Sequence, residues 1–481
     1  MNADSIQPSR ALLLAALAVL ICLKTAMLFA PPIGDEAYYW MWGQFLDWSY
    51  HDHPPLNALL LRASYELFGW NLFALRAPGL LTWAISFAVI GWWGVRLAGQ
   101  GGALAAIVIA GISPLFFVFQ SIVYNDHALI AGILVSVHFF VLFVESSESG
   151  RPRWLLLYAA ALFVGVAALA KYSAVFIGLG YAFWFLGTPA GRKLLTSPHV
   201  WLAGLLACAT QVPVIWWNYT HDLTSFRFHF AGRFFGARDA MSIMWRLFNF
   251  LIVATLIFSP FLIPGLVRFL RNSGNGDLAR FRTVVRPALL LSLVIFSAFA
   301  LRMLPHFYWL IPPLAAYLPV AAVSTGPREA LWHISFSLFV TSVLTVHIAI
   351  VPVSSLFGIR GVEDVAFGAV EIAERAQAEM QAREADLMLT TSYTLASLIG
   401  FHLRRTDIYS YLSVPEQYDV WFQYEDHAGK SAIVVTDSHR PAYQPERDRF
   451  ESFEEIGKVR ATRFGIFVNE FTLYHATGLR P

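Results

Sequence analysis

Apolar residues fill the first three quarters of the chain in blocks separated by short polar stretches. A helix of about 20 apolar residues crosses the hydrocarbon core of a bilayer, and the blocks predict about eleven spans. They lie near 11–30, 77–97, 102–121, 127–145, 154–170, 172–188, 200–217, 247–268, 287–302, 306–324 and 331–352. PPIGDE follows the first block with no small-residue cleavage site, so that block reads as a retained helix rather than a removed leader. In the loop after it, YYWMWGQFLDW and LNALLLRASYELF predict amphipathic helices lying in the membrane interface. Pro54 and Pro55 separate the two.

Beyond about residue 353 the pattern changes. GVEDVAFGAVEIAERAQAEMQAREADLMLT is charged, with apolar positions at helical spacing. DIYSYLS, SAIVVTD and GIFVNEFTLYHA read as strands, and SYTLASLIGFHL fits a helix. The expected organisation is a mainly helical polytopic bundle over 1–352 and a small α/β domain over 353–481. Arginine and lysine in the short loops set the orientation. With the N-terminus inside, Arg96, Arg151, Arg153, Arg192, Lys193, the cluster from Arg268 to Arg286 and Arg328 all fall inside. An odd number of spans then puts 353–481 outside, in the periplasm of a cell with an inner membrane.

Composition agrees: 57% of residues are hydrophobic and 14% charged, against about a quarter charged in soluble domains. A net charge of +2 gives no reason to expect nucleic acid. Cys22 and Cys208 both sit inside apolar runs and read as buried lone thiols, with no disulfide or zinc framework. Lysine is scarce, at 24, 171, 193, 430 and 458.

The predicted topology brings several polar motifs to the outer face. They are DEAYYW, HDHPPL, YNDH, AKYS, WNYTHDLTSFRFHF and LPHFYW. Asp35 and Glu36 directly follow Pro31, Pro32 and Gly34. A carboxylate there serves either as a solvated cap or, partly desolvated, as a general base toward a hydroxyl. Neighbouring helical positions diverge by about 100°, so one of the pair would be the base and the other a helper or structural partner. The i, i+2 spacing of His51, Asp52 and His53 suits a divalent metal, a phosphate or sugar contact, or a fixed loop. Lys171 interrupts an apolar stretch and reads either as a snorkelling lysine or as a cation for a lipid-linked phosphate. Asp126 and His306 either cap helices or line a cavity.

In order and spacing these motifs, with RAPG and WN..H…SFRFHF, resemble bacterial polytopic polyprenyl-phosphate-sugar glycosyltransferases. These are GT-C fold enzymes related to protein O-mannosyltransferases and lipid A aminoarabinose transferases. The resemblance covers roughly residues 10 to 330. It implies inverting sugar transfer from a polyprenyl-phosphate donor to a hydroxyl or phosphate of a lipid A core, glycan, lipid or protein. It maps the base onto Asp35, with Glu36 beside it. Some relatives carry a lysine in the first outer loop; this loop has only Arg62 and Arg76. The expected substrate-binding set is therefore Tyr38, Tyr39, His51, Asp52, His53, Arg62, Arg76, Asp126, Lys171 and His306. A divalent metal at His51, Asp52 and His53 stays open, and no other cofactor is expected. The competing class is a lipid or sugar transporter or flippase. Internal repeats and broken midplane helices are common in such proteins, and this sequence shows neither clearly.

Overall fold

The computed structural model describes residues 8–230, 239–272, 275–412 and 414–481. The stretch between the spans predicted near 200–217 and 247–268 thus lies partly outside the described residues. The chain divides into two compact units. One comprises the residues up to Thr25, His53–Asn57 and Ala77–Ser342; the other comprises Ala26–Asp52, Ala58–Arg76 and Val343–Pro481.

The first unit is helical. Among the described residues, seven helices are long and apolar enough to span a membrane: Arg10–Leu28, Leu72–Ala98, Asn125–Glu148, Ala240–Phe258, Asp277–Phe299, Phe307–Ser324 and Pro327–Ala349. Pro198–Ala209 and Val212–Thr220 make an eighth, bent by 42°. The other three predicted spans are shorter. Gly102–Ile112 stops at Ser113 because Pro114 opens a second helix, Pro114–Phe119. Trp154–Ala170 stops at Lys171, which is extended, and Tyr172–Gly187 follows. Tyr124, Lys171 and His306 are extended residues at helix starts or breaks. Non-helical backbone at membrane depth needs protein or a polar cavity around it, which is why these breaks coincide with the polar motifs. Cys22 and Cys208 are exposed, not buried as expected. In a spanning bundle the outward positions of a helix are as apolar as the inward ones, so an apolar run alone does not mark burial.

At one end of the bundle Arg96 pairs with Glu145 at 2.6 Å and with Asp277 at 2.8 Å. Arg280 pairs with Asp277 at 2.6 Å and Glu148 at 2.8 Å. The Asn125–Glu148 helix rises 1.5 Å per residue, so Asp126 lies about 28 Å from this network.

The second unit joins the first-loop helices Gly34–Gln44 and Leu56–Phe68 to a five-stranded sheet. The strands are β1 (Leu387–Thr390), β2 (Ile408–Ser410), β3 (Ala432–Asp437), β4 (Ser452–Arg463) and β5 (Ile466–Thr477), in the order β2-β1-β3-β5-β4. β1 runs parallel to β2 and β3; β5 is antiparallel to β3 and β4. The helix Tyr393–Leu403 connects β1 to β2, and the chain returns to β3 on the other side of β1. Leu389, Tyr411, Val434 and Ala476 contribute to the core on one face. Neither β1, at the end of the segment read at helical spacing, nor β4 was expected. The charged residues of β4 alternate with apolar ones on an exposed edge, where lysine and glutamate commonly guard against further pairing. The Gly34–Gln44 helix does not lie exposed in an interface: Ala37 to Gly43 are all buried.

Candidate active site

Pro31 and Pro32 bring the chain out of the first long helix, and the next helix starts at Gly34. Asp35 and Glu36 occupy its first turn, where the helix dipole favours negative charge. The two carboxylates part company there. Glu36 is fully enclosed; its Oε2 accepts from the Ile33 N–H at 3.2 Å and from Arg76 Nη2 at 2.7 Å. Arg76, also enclosed, donates to the carbonyls of Pro31 (3.3 Å) and Met27. The pair therefore clips the end of the first long helix to the start of the next one. Asp35 is half-buried on a different face, and its Oδ1 accepts from the Tyr393 hydroxyl at 3.3 Å.

The Tyr393–Leu403 helix lies along the Asp35 helix. A Cβ on Gly34 would stand 2.7 Å from Thr394 Cβ, and one on Gly400 would stand 2.9 Å from Met41 Cε. Only glycine permits these approaches. The rings of Tyr38 and Tyr393 are 4.5 Å apart, and those of Trp40 and Phe401 are 5.5 Å apart. Trp70 Nε1 donates to the Phe401 carbonyl at 2.9 Å. The His51 N–H donates to Gln417 Oε1 at 2.7 Å, so the C-terminal region also fixes the His-Asp-His loop. Tyr38, itself buried, donates to Asp52 at 3.4 Å.

Around Asp35 the C-terminal region adds two acids and a cation. The Glu363 residue is open to solvent, yet protein atoms crowd its carboxyl. This desolvation, and then the charge of Asp35, push its pKa up to about 8, although the Gly34 N–H donates to it. Glu416 is buried and is also pushed up to about 8, by desolvation first, with Asp419 and Asp52 adding to the effect. The Tyr393 hydroxyl is raised by the charge of Asp35 and by burial. The guanidinium of Arg440 stands 5.6 Å from the Tyr393 ring centre.

The remaining predicted residues divide between the units. Arg62 forms an i, i+4 pair with Glu66 on a partly exposed helix face. Tyr39 is buried and stacks edge-on with Trp42 at 4.8 Å. In the helical unit, Lys171 Nζ lies 2.8 Å from both oxygens of Asp126, and 4.6 Å from the Tyr308 ring centre. His306 is exposed and stacks on Tyr308 at 5.1 Å. The His53 and His229 rings are 6.0 Å apart. His127 is enclosed between Thr82 Oγ1 and Asn57 Oδ1, each at 3.0 Å. No group of three or more His, Cys, Asp or Glu side chains among the described residues is arranged to hold a metal ion.

Sequence reasoning missed Glu363, Tyr393, Glu416 and Arg440. One signal was present: Tyr393 and Arg440 each stand three residues beyond the end of a short apolar run, the parallel strands β1 and β3. Sites of α/β sheets gather at such strand ends, where the strand order reverses.

Residues 52–217 match the dolichyl-phosphate-mannose-protein mannosyltransferase family. Over 199 residues the chain is 32% identical to lipid A galacturonosyltransferase RgtD of Rhizobium johnstonii, an alignment covering 40% of each protein. The chain thus spans less than half the length of that relative. The fold matches crystal structures of ArnT from Cupriavidus metallidurans. The apo form matches with TM-score 0.62 at 17% identity, over 96% of this chain and 97% of that one. The form bound to undecaprenyl phosphate matches with TM-score 0.64 at 16% identity, over 97% and 98%. The polytopic GT-C bundle with a small C-terminal α/β region, expected from the sequence, is the fold observed.

Proposed function

We propose that this chain, built on the fold it shares with ArnT, is a membrane glycosyltransferase. It moves a sugar from a polyprenyl-phosphate donor to an acceptor at the outer face of the inner membrane. One observation carries the reading: of the adjacent carboxylates, Glu36 is enclosed and locked to Arg76, while Asp35 is half-exposed and accepts from the Tyr393 hydroxyl. An enclosed ion pair holds the helix start in place, and the neighbouring carboxylate keeps a face for chemistry.

In this mechanism the acceptor hydroxyl loses its proton to Asp35 as its oxygen attacks the anomeric carbon. The bond from that carbon to the lipid phosphate breaks on the opposite side, giving inversion. The phosphate is the leaving group, so the protein supplies a base, positioning and charge stabilisation. Within the helical unit Lys171, paired with Asp126, stays a candidate cation for a lipid-linked phosphate. Arg76 is committed to Glu36 and two carbonyls and takes a structural role, whereas the exposed i, i+4 pair of Arg62 with Glu66 leaves Arg62 in the proposed substrate set. The partial match to a lipid A galacturonosyltransferase supports a lipid A-type glycolipid acceptor. Packing of the first-loop helices against the C-terminal sheet within one unit supports a periplasmic place for both.

The deciding experiment is mass spectrometry of envelope glycolipids from cells with and without the protein. A sugar present only with the protein identifies donor and acceptor; identical profiles, with the protein expressed, reject the reading.

A further inference from the structure

Arg440 follows β3 in a turn whose backbone is held at His439 and Arg440. Asp437, itself buried, accepts from the N–H of His439 at 2.7 Å and of Arg440 at 3.1 Å. The Thr391 hydroxyl, on the loop after β1, donates to the Arg440 carbonyl at 2.5 Å. The backbone is thus held by both parallel strands at the point where the strand order reverses. The side chain is not held. Among the described residues its guanidinium makes no hydrogen bond, and no carboxylate lies within 4 Å of it. It stands over the Tyr393 ring, and its charge acts on the Glu363 and Glu416 carboxyls without direct contact. Five N–H donors in a planar fork suit a phosphate or a carboxylate, and here they are half-buried with no such group in direct contact among the described residues.

Position decides which substrate they serve. Through Tyr393, Arg440 is one residue removed from Asp35. In an inverting displacement the base and the leaving phosphate stand on opposite sides of the anomeric carbon. Groups around the base therefore face the acceptor, not the donor phosphate. We propose that Arg440 is an acceptor-binding residue whose guanidinium receives an anionic group, phosphate or carboxylate, carried by the acceptor beside the hydroxyl that attacks. This rests on the glycosyltransferase reading for its choice of substrate, but not for the anion site itself. An anion held there also raises the basicity of Asp35 by like-charge proximity, so the correct acceptor strengthens the base it meets.

The test has two arms on the detergent-purified full chain. The first needs no transfer. Unfolding midpoints are followed against inorganic phosphate and acetate for wild type, Arg440→Gln and Lys171→Gln, since a ligand of the folded state raises the midpoint. Phosphate should stabilise wild type, and Arg440→Gln should lose a part of that response which Lys171→Gln keeps. No response in wild type, or equal responses in wild type and Arg440→Gln, overturns the assignment. The second arm compares lipid A, dephosphorylated lipid A and a uronate-bearing glycolipid as acceptors, which separates phosphate from carboxylate. Arg440→Gln should raise KM for the anionic acceptors about tenfold to a hundredfold, the value of a charge-assisted hydrogen bond. It should spare kcat, leave the dephosphorylated acceptor unaffected, and be partly rescued by Arg440→Lys. Equal losses on charged and uncharged acceptors would assign Arg440 to Asp35 alone and reject the proposal. Phosphate binding without any sugar transfer would reject the glycosyltransferase reading and keep the anion site.

Discussion

The Tyr393 hydroxyl donates a hydrogen bond to Asp35 at 3.3 Å, across 358 residues of chain. The C-terminal region therefore orients the proposed base directly. Asp35→Asn keeps the shape and removes the base, so transfer to a hydroxyl acceptor should fall about 100- to 10,000-fold with expression intact. Tyr393→Phe removes a donor that favours the carboxylate form. The acid limb of the pH–rate profile should then move to higher pH. Near-normal transfer by Asp35→Asn would reject its role.

Glu36 and Arg76 give the opposite expectation. Both side chains are enclosed and paired at 2.7 Å. Removing one partner of such a pair costs about 3–5 kcal/mol, whereas replacing both with apolar groups is often close to neutral. Arg76→Met should lower the unfolding midpoint sharply, and Glu36→Leu with Arg76→Met should recover much of the loss. If Glu36→Gln abolishes transfer while leaving the midpoint unchanged, the roles of Asp35 and Glu36 have been exchanged.

How far the sequence reveals this arrangement depends on the range of the contacts involved. Seven of the spans, and an eighth as a bent pair, follow from local composition and were legible, as was the strand character of SAIVVTD, which is β3. Asp35 was legible because proline, glycine and a helix start lie beside it in the chain. Its partners were not, because the Tyr393 bond and the packing of Thr394 on Gly34 are set by tertiary packing alone. Lys171 shows the same limit: its position flagged it, but only the fold shows that Asp126 already holds it. Charge alternation concealed β4, since an exposed edge strand lacks the apolar face that marks a strand.

Glu416 makes stability depend on pH. Its pKa rises from the ordinary 4.5 to about 8 on folding. Between those values the folded state keeps a proton that the unfolded chain has released, so stability falls as pH rises through the window. Glu363 adds to the slope over a similar range. Glu416→Gln should flatten the dependence of the unfolding midpoint between about pH 4.5 and 8. An unchanged slope would show that Glu416 ionises normally in the folded protein.

Lys171 can be tested without the penalty of a broken pair. Lys171→Met with Asp126→Asn removes both charges of an almost fully buried pair and should fold. If Lys171 meets the donor phosphate, this double variant should lose the stabilisation that undecaprenyl phosphate confers on wild type. Retained stabilisation would leave the pair a purely structural contact.

Three ion-pair relationships predict the full membrane topology, including the helices too short to qualify alone. Asp126 and Glu145 lie on one helix about 28 Å apart, close to the hydrocarbon thickness, so they mark opposite sides. Arg96 touches Glu145 at 2.6 Å, so the chain between them must cross out and back; the outward crossing is the broken segment Gly102–Phe119. Lys171 touches Asp126, so Trp154–Ala170 crosses as well. Arg280 touches Glu148, so an even number of crossings separates them. The four candidates are Trp154–Ala170, Tyr172–Gly187, the bent Pro198–Thr220 pair and Ala240–Phe258. With the remaining long helices this gives eleven crossings and puts 353–481 on the side of the first loop, as the packing of Trp70 on Phe401 requires. In a background lacking Cys22 and Cys208, cysteines placed at Gly150 and Gly326 should react with an impermeant maleimide only after the membrane is opened. Those at Asp222 and Arg383 should react from outside in intact spheroplasts. Labelling of Gly150 together with Arg383 from the same side would break the Arg96–Glu145 argument, and the proposed outer location of Asp35 would lose its support.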